Sequence, residues 1–237
     1  MDDRPPARVR LMTANLLNGR ADPRSFAEVV DRMSPDVVVT QEMAFDVAKV
    51  LYERYPHTSL EPRRDHRGQG IASRHPAEFG TLDLPERGGR WARVATSLGT
   101  ITVAVVHFIN PIDFPWWRSV GARRGQLDAL LEWAGTLDPG PFVLAGDLNA
   151  SPAWPAYRRL AEQWEDLAAA GARSGGGRPL RTWAWRPGWP RMLRIDHVLG
   201  HGLVATATRV EPVRGSDHAA VVVDLSVPGQ AMPNRSS

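Results

Sequence analysis

Short apolar runs recur along the chain, and six of them carry a polar residue at or next to one end. Runs of four to eight apolar, largely β-branched residues are typical of buried strands. In chain order the runs are Val9–Thr13, Val37–Thr40, Ile101–Val106, Phe142–Ala145, Asp196–Leu199 and Asp217–Leu225. We predict that the polar residues at these strand ends converge on one rim of a sheet.

Stretches with helical spacing lie between several of these runs. Pro23–Met33 places Phe26, Val29 and Val30 on one face, and Asp22 precedes a proline at the first helical position, as an N-cap does. Further helices are predicted over Asp46–Tyr55, Gly125–Leu137 and Pro152–Glu162. The order β-α-β-α-β, followed by hairpins and further helices, predicts a mixed α/β fold with sheets buried under helices.

Turn residues and composition predict the connecting segments. Gly99-Thr100 stands between two β-rich runs, which indicates a hairpin turn. Asn110–Arg118 is rich in proline and aromatic residues and Gly171–Pro179 is rich in glycine, so both are predicted to be loops. Leu180–Trp185 is predicted to be a strand before Asp196.

Composition narrows the class of protein. The chain has 237 residues, 43% of them hydrophobic, and no repeat or clear linker, so we expect one domain over residues 8–227. Residues 1–7 and 228–237 are expected to be disordered tails. The absence of cysteine excludes disulfides and thiolate metal sites. Because the sequence shows no signal peptide and no apolar stretch long enough to span a membrane, we expect a soluble, cytoplasmic protein, and a monomer.

Arginine dominates the basic residues. The net charge is only +3 and Lys49 is the sole lysine. Arginine forks suit phosphate and nucleic acid, whereas a codon bias that replaces lysine by arginine explains the same skew.

Gly146-Asp147-Leu148-Asn149 is the sharpest local motif. It follows a fully apolar run, and strand alternation sends Asp147 and Asn149 to the same side. A carboxylate beside an amide can hold a water molecule and a phosphoryl oxygen together. A simple turn is the alternative, since Gly, Asp and Asn favour turns.

Two further motifs combine carboxylates with histidine. Asp217-His218 at a strand start can supply a metal ligand and a proton acceptor. Asp196 can orient an imidazole through its ring N–H. A turn closed by Ser216 or Asp217 with a buried core histidine, and a surface Arg–Asp pair in a hairpin, are the alternatives.

Three more polar residues stand at strand ends. Glu42 abuts a buried strand, where a carboxylate is costly unless it is paired or holds a hard cation such as Mg²⁺. His107 can donate to a developing oxyanion, or it is simply buried. Asn15 can bind phosphate or metal-bound water, or cap a turn.

Taken together, the order and spacing of these motifs resemble the endonuclease/exonuclease/phosphatase superfamily, a group of metal-dependent phosphodiesterases and phosphatases. The similarity runs from about Arg8 to Leu225 and is closest to small bacterial members without accessory domains. The motifs are Thr13-Ala14-Asn15, Gln41-Glu42, Gly70-Ile71-Ala72-Ser73-Arg74-His75-Pro76, Val106-His107, Gly146-Asp147-Leu148-Asn149, Arg194-Ile195-Asp196-His197 and Ser216-Asp217-His218. The resemblance implies a four-layer α/β sandwich of two packed mixed β-sheets flanked by helices.

The resemblance also implies a metal site. Glu42 would hold a catalytic Mg²⁺ or Mn²⁺, helped by Asn15 and Asp217. The amide of Asn15 would also bind the substrate. A bound cation would neutralise charge that develops on the phosphate and on the leaving oxygen.

The remaining site residues receive catalytic roles from the same resemblance. Asp147 would position or deprotonate the attacking water, and Asn149 would orient the scissile phosphate. His218, paired with Asp196, would act as general base or charge stabiliser. His107 would hydrogen-bond a non-bridging oxygen of the bound substrate.

The substrate is the open part of the sequence interpretation. Trp116 and Trp117 follow His107 in a predicted loop, where they can stack on a base, insert into a lipid interface or anchor the loop. We predict an Mg²⁺-dependent phosphoesterase that acts on nucleic acid. The alternatives are a phosphodiesterase or phosphatase for phospholipid head groups or small molecules, and a binding module that kept the fold without catalysis.

Overall fold

Two mixed β-sheets of six strands each pack face to face in the computed structural model, which describes residues 8–111, 115–176 and 180–229. The first sheet consists of β1 (Val9–Asn15), β2 (Val37–Gln41), β3 (His57–Glu61), β4 (Gln69–Ser73), β11 (Val204–Pro212) and β12 (Ala219–Ser226). Its strand order is β11-β12-β1-β2-β4-β3.

The second sheet has the same number of strands. It consists of β5 (Ala77–Leu82), β6 (Gly89–Thr96), β7 (Gly99–His107), β8 (Phe142–Asp147), β9 (Glu165–Asp166) and β10 (Asp196–His201). Its strand order is β5-β6-β7-β8-β10-β9.

Helices cover the outer faces of both sheets. They are α1 (Pro23–Met33), α2 (Phe45–Arg54), α3 (Trp116–Gly135) and α4 (Pro155–Ala161). Helix α5 (Leu167–Ser174) instead packs against β11, and its Leu167 and Ala168 join the core between the sheets. One apolar core lies between the sheets, a second between the first sheet and α1 and α2, and a third between the second sheet and α3 and α4. The predicted four-layer α/β sandwich is therefore confirmed.

Strand alternation explains how one sheet serves two cores. In β1, Val9 and Leu11 enter the core between the sheets, whereas Met12 and Ala14 enter the core under the helices. Successive side chains of a strand point to opposite faces, so a strand buried on both sides is apolar at almost every position. This is the pattern that made the central strands visible in the sequence.

Strand directions gather the polar strand ends at one edge. β1 and β2 are parallel, as are β7 and β8, so the carboxyl ends of each pair lie together. β12 runs antiparallel to β1 and β10 antiparallel to β8, so β12 and β10 begin where the other strands end. Each sheet thus brings three of these strand termini to the same rim.

The first predicted helix is confirmed at both ends. It covers Pro23–Met33, and the Asp22 side chain accepts hydrogen bonds from the backbone N–H groups of Arg24 at 2.8 Å and Ser25 at 3.0 Å. Such a cap satisfies N–H groups that the helix itself leaves unpaired.

Two connections differ from the sequence prediction. The hairpin between β6 and β7 turns at residues 97 and 98, because Thr96 pairs directly with Gly99. Gly99 is the first strand residue and has a φ of +94°. Helix α3 begins at Trp116, nine residues before the predicted start. Ser119 and Arg123 anchor this first part by donating to the carbonyls of Asn110 and Ile109, contacts that sequence spacing does not reveal.

The glycine-rich region also differs. Gly171–Ser174 belongs to α5 instead of a loop, and Leu180–Trp185 is not a strand. Only Trp183 forms isolated bridges there, to Leu193 and to His218. The segment 180–185 therefore belongs to neither sheet.

The ends of the chain are only partly described. Residues 1–7 and 230–237 of the predicted tails lie outside the described residues, and residues 228 and 229 form a turn. Among the helices within the described ranges, none is long and apolar enough to cross a membrane.

Candidate active site

Seven of the predicted residues form one connected group at the shared rim. The first sheet supplies Asn15 at the end of β1, Glu42 after β2 and His218 before β12. The second sheet supplies the other four. These are His107, Asp147, Asn149 and Asp196.

Asn15 links the two sheets through its amide. Its Nδ2 donates to Glu42 Oε1 at 3.2 Å and to Asp147 Oδ2 at 3.0 Å. Its Oδ1 accepts from the backbone N–H of Leu17 at 3.0 Å, which fixes the orientation of the amide. Two carboxylates therefore converge on one amide nitrogen.

Glu42 reaches the rim through an unusual backbone conformation. Its φ is +54°, a left-handed region that is uncommon outside glycine and that concentrates at functional sites. The backbone N–H of Asn18 donates to Glu42 Oε2 at 2.8 Å, so both carboxylate oxygens have a protein donor. The turn after β2 thus points this carboxylate into the rim.

The glycine of the Gly-Asp-Leu-Asn motif has a steric cause. Gly146 has a φ of +146°, and a Cβ there would lie 2.0 Å from the carbonyl oxygen of Val106. Only glycine lets β8 approach β7 closely enough to bring Asp147 opposite His107 in the strand register. Asn149 has a φ of +46°, and its N–H donates to Asp147 Oδ1 at 2.7 Å. The motif is therefore a turn and part of the site together.

Asp147 is a buried carboxylate whose hydrogen-bond donors in the described structure are uncharged amides. It is 1% exposed, and these donors are the amides of Asn15 and Asn149. Burial raises the pKa of Asp147 to about 7, helped by the charges of Asp196 and Glu42 and opposed by His218. Near neutral pH this group can take up or release a proton.

His218 and Asp196 form a pair across the two sheets. His218 Nδ1 lies 2.9 Å from Asp196 Oδ2, and Nε2 lies 3.8 Å from Asp147 Oδ2. Burial alone would lower the pKa of His218, but the adjoining carboxylates, Asp196 foremost, raise it to about 10. Thr182 holds the pair because its hydroxyl accepts from the backbone N–H of Asp196 at 3.2 Å. The imidazole is therefore positively charged at neutral pH.

Asp217 lies beside this pair, and only one of its two carboxylate oxygens accepts a hydrogen bond within the described structure. Its Oδ2 accepts from Trp183 Nε1 at 3.2 Å, and its Oδ1 lies 4.0 Å from His218 Nε2. Among the described residues, Oδ1 is buried without a hydrogen-bond partner. A buried acceptor in this state needs a donor or a cation.

His107 is buried between carboxylates and an arginine. Its Nε2 lies 3.5 Å from both Glu42 Oε1 and Asp147 Oδ2, and Arg87 Nη1 lies 2.6 Å from the same nitrogen. Burial and the charge of Arg87 hold the pKa of His107 well below its usual range, so the ring is neutral. Because Nδ1 lies 3.1 Å from the carbonyl oxygen of His66, we assign the ring proton to Nδ1. Because Arg87 Nη1 also lies 2.8 Å from Nδ1, the guanidinium faces the imidazole and brings a positive charge to this side of the site.

The donor set fits a hard divalent cation. Oxygen atoms predominate, and such ligands suit Mg²⁺ or Mn²⁺. The unsatisfied Oδ1 of Asp217 adds a buried oxygen that a cation would compensate. Asp147, Asp196 and His218 form a second group of candidate ligands, whose donor atoms all lie within 4.8 Å of one another.

The tryptophans predicted to bind substrate begin α3 instead of standing in a loop. The side chain of Trp116 lies outside the described part of the structure. Trp117 is 58% exposed. Trp185 and Trp189, in the segment that follows Trp183, are also exposed.

Two contributors to the site, Arg87 and Thr182, were not predicted, and Trp183 was predicted only as a candidate wall of the cleft. Arg87 comes from the connection between β5 and β6, and Thr182 and Trp183 come from the segment that leads to β10. The sequence offered only a glycine-containing turn after Arg87 and a cluster of tryptophans around Trp183. Neither signal tells which catalytic residue these side chains touch.

The four-layer sandwich with a rim of carboxylates, amides and histidines defines a phosphoesterase type of fold and site. The chain belongs to the endonuclease/exonuclease/phosphatase family, whose model matches residues 12–218. Members of this family are phosphoester hydrolases, and they typically depend on a divalent metal.

Solved structures share the fold. An endonuclease/exonuclease/phosphatase from Beutenbergia cavernae has 24% identity and a TM-score of 0.74, with coverage of 94% of this chain and 72% of that chain. The human Nocturnin catalytic domain with bound sulfate has 19% identity, a TM-score of 0.71 and coverage of 96% of both chains. The 3′ phosphatase NExo from Neisseria, bound to a product DNA hairpin, has 20% identity and a TM-score of 0.68, with coverage of 91% of this chain and 98% of that chain. Comparison with curated protein sequences gives no match.

Proposed function

We propose that this protein is a divalent-metal-dependent phosphodiesterase whose substrate is nucleic acid. One observation carries the proposal: two contacts join the sheets at the same rim. Asn15 of the first sheet donates to Asp147 of the second, and His218 of the first pairs with Asp196 of the second. These contacts support the proposal because they join a carboxylate with a pKa near neutral, a cationic imidazole and further oxygen ligands at one rim.

Glu42 would hold the cation, with Asp217 as a further oxygen ligand, whereas the Asn15 amide, whose Oδ1 accepts from Leu17, would orient the Glu42 carboxylate through its Nδ2 instead of ligating the metal. The carboxylate of Glu42 already converges with Asp147 on the Asn15 amide. When bound, a divalent cation supplies compensation for charge on the phosphate and the leaving oxygen.

Asp147 would accept the proton of the attacking water. Its carboxylate is oriented by the N–H of Asn149 and the amide of Asn15, which leaves it fixed in position. Because its pKa is raised to about 7, Asp147 is a stronger base than an ordinary carboxylate. Above that pH it is still largely ionised. A base placed in this way activates water without itself forming a bond to phosphorus.

The His218–Asp196 pair would stabilise negative charge on the phosphoryl group. Asp196 engages Nδ1, which leaves the Nε2–H of the imidazolium directed toward the pocket near Asp147. A cation held without reorganisation lowers the energy of a charged transition state. Of the two roles predicted for His218, general base and charge stabiliser, we assign it that of charge stabiliser.

Asn149 and Arg87 would hold the scissile phosphate. Asn149 Nδ2 donates to the carbonyl of Phe108 at 2.9 Å, which fixes the amide beside Asp147. Arg87 contacts the neutral ring of His107 and brings a cation to an otherwise acidic rim. In this arrangement His107 positions Arg87, which takes over the donor role predicted for the imidazole.

Two kinds of observation support nucleic acid as the substrate: the ligands of similar structures and the exposed aromatic side chains. NExo is a 3′ phosphatase with a bound DNA product, and the zebrafish TDP2 structure holds a single-strand DNA product. Trp185 and Trp189 are more than half exposed near the catalytic pair, and exposed aromatic rings stack on bases. Arg186 lies over the Trp189 ring at 5.7 Å and adds positive charge there.

A phospholipid head group is the second candidate substrate. The same segment exposes Met192 and Leu193, and Trp117 and Val120 are exposed at the start of α3. Exposed tryptophan and aliphatic side chains beside arginine also suit a lipid interface.

Turnover of bis-p-nitrophenyl phosphate and of a labelled single-stranded oligonucleotide, with and without Mg²⁺ or Mn²⁺, tests the proposal. We expect both substrates to be cleaved with metal, and the Asp147→Asn variant to be inactive. Asp31→Asn is the matched control and should keep full activity. Asp31 is an exposed acid on α1 that pairs with Arg54 of α2. Turnover by Asp147→Asn, or by the wild type in excess EDTA, would refute the mechanism. Cleavage of phospholipid vesicles but not of oligonucleotides would favour the second substrate.

A further inference from the structure

A basic cavity of about 160 Å³ adjoins the candidate active site. It lies where the connection between β3 and β4 meets the connection between β5 and β6. Its charged and amide lining residues are Glu61, Arg63, Arg67, Gln69, Arg87 and Arg90. We call this group the arginine cavity.

The arginine cavity has an excess of positive charge. Glu61 is its only acid among the described lining residues, against four arginines. The Glu61 carboxylate contacts both Arg63 and Arg90, and these contacts, Arg63 first, hold the pKa of Glu61 below its usual range. Arg90 also donates to the Ser59 hydroxyl at 2.9 Å, so its guanidinium is fixed in place. The Glu61 carboxylate therefore positions the guanidinium groups of Arg63 and Arg90 but neutralises only one positive charge.

Gln69 adds a buried acceptor to the cavity wall. The residue is 3% exposed, and its Nε2 donates to the carbonyls of Arg87 at 3.3 Å and Gly88 at 3.4 Å. Among the described residues, its Oε1 is buried without a hydrogen-bond partner. A ligand with a hydroxyl group, such as a protonated phosphate or a sugar, would supply the missing donor.

The arginine cavity communicates directly with the catalytic rim. Arg87 lines the cavity and its Nη1 lies 2.6 Å from His107 Nε2. On the other side of that ring, the His66 carbonyl oxygen lies 3.1 Å from Nδ1, and His66 precedes Arg67 in the chain. An anion in the cavity would therefore be separated from the cleaved phosphate by a single guanidinium.

We propose that the arginine cavity binds a second phosphate group of the substrate, next to the phosphate that is cleaved. Guanidinium groups match phosphate oxygens in a bidentate geometry. The cavity volume of about 160 Å³ is large enough for a phosphate group. That this phosphate belongs to the substrate rests on the proposed function, whereas phosphate binding in the arginine cavity does not depend on turnover.

Phosphate binding to the metal-free protein tests the site directly. In excess EDTA the carboxylates of the catalytic rim repel phosphate, so binding of ³²P-orthophosphate by equilibrium dialysis at low ionic strength reports on the arginine cavity. We expect Arg67→Gln and Arg90→Gln each to weaken binding at least tenfold. Arg93→Gln is the matched control, because Arg93 lies on the same strand as Arg90 but contacts Asp138. Equal affinity in all four proteins overturns the site.

The substrate role has its own measurement. We compare the dinucleotide dTpdT with its 5′-phosphorylated form, pdTpdT, in the presence of Mg²⁺. The wild type should show a KM about tenfold lower for pdTpdT, and Arg67→Gln should lose this preference while turning over bis-p-nitrophenyl phosphate normally. Arg67 suits this test because its side chain is exposed, so its replacement should leave folding intact.

The two proposals can fail separately. Phosphate binding that depends on Arg67 and Arg90, in a protein without any turnover, would keep the site and overturn the proposed function. Metal-dependent turnover with no preference for pdTpdT, and with phosphate binding unchanged in both variants, would overturn the second-phosphate site alone.

Discussion

Two buried carboxylates, Asp224 beside the start of β1 and Asp147 beside its end, differ in the charge of their hydrogen-bond partners. At the start of β1, Arg10 contacts Asp224 at 2.5 Å and 3.0 Å, and Arg209 adds a third contact at 3.1 Å. At its end, Asn15 donates a neutral amide to Asp147. Asp224 is 4% exposed and Asp147 is 1% exposed, so burial does not distinguish them.

The charge of the partners decides how each carboxylate ionises. Burial would raise the pKa of Asp224, but the hydrogen bonds from Arg10 and Arg209 lower it. Burial raises the pKa of Asp147 to about 7, and the charge of His218, 3.8 Å away, opposes this shift only in part. A carboxylate that stabilises the fold is fully paired, whereas one that takes up a proton or faces a cation is left short of positive charge.

The largest expected effect comes from neutralising the unpaired carboxylate. Asp147→Asn should lower kcat for bis-p-nitrophenyl phosphate about 10³-fold, because it removes a positioned base. The free energy of unfolding should change little, because removal of a costly buried charge is offset by loss of its attraction to His218. Steady-state kinetics and urea unfolding of the same preparations measure both quantities. A variant that is clearly less stable would mean that Asp147, like Asp224, serves the fold.

Removal of metal should have the next largest effect. Excess EDTA should reduce turnover to background, and added Mg²⁺ or Mn²⁺ should restore it. Glu42→Gln should then require at least about tenfold more metal for half-maximal activity, because it loses a charged ligand.

A second variant decides between the two groups of candidate ligands. Asp196→Asn should keep the metal requirement of the wild type and lose rate, since Asp196 is paired with His218. Isothermal titration with Mn²⁺ separates the cases. Weakened Mn²⁺ binding in Asp196→Asn, with normal binding in Glu42→Gln, would assign the metal to Asp147, Asp196 and His218.

The sequence predicted the central strands well and the edge strands poorly. The edge strands of the two sheets are β11, β3, β5 and β9, and none of them was predicted. Central strands are buried on both faces and are therefore continuously apolar, as in Val37–Gln41, where every residue is buried. An edge strand such as His57–Glu61 is half-exposed along its whole length and carries no such pattern.

The same reasoning separates the predicted site residues from the missed ones. Asp147 and His107 follow strands that the pattern locates, so parallel strand ends place them together. Arg87 lies in a connection to an unpredicted edge strand, so nothing in the sequence sets its distance from His107. The pKa of Asp147 likewise depends on which charges fold around it, and composition does not contain that information.

Breaking the paired carboxylate should affect stability instead of rate. Asp224→Asn leaves Arg10 and Arg209 beside a neutral amide, and loss of a largely buried ion pair costs about 3 kcal/mol. Urea unfolding at pH 7 gives this value, and kcat per folded molecule should be unchanged. Asp31→Asn, which weakens the exposed Asp31–Arg54 pair, should cost less than about 1 kcal/mol. Similar losses in both variants would contradict the distinction between buried and exposed pairs.

His197 extends the comparison to a buried base that stays neutral, because burial and Arg194 outweigh the charges of Asp166 and Asp196. It is 1% exposed, its Nε2 lies 2.8 Å from the Ala150 carbonyl oxygen, and burial lowers its pKa to about 4. Between about pH 6.5 and pH 4 the unfolded chain binds a proton at this position and the folded chain does not, so stability falls as the pH falls. From pH 7 to pH 5 this contribution is about 2 kcal/mol.

The His197→Gln variant isolates that contribution, because its amide can still donate to the Ala150 carbonyl while it does not titrate. Urea unfolding at pH 7 and pH 5 should therefore show a smaller acid-induced loss of stability in His197→Gln than in the wild type. His107 contributes in the same direction but is present in both proteins, so it cancels in the difference. Equal losses would mean that His197 charges in the folded protein, where a counter-charge or a water molecule must then reach its Nδ1.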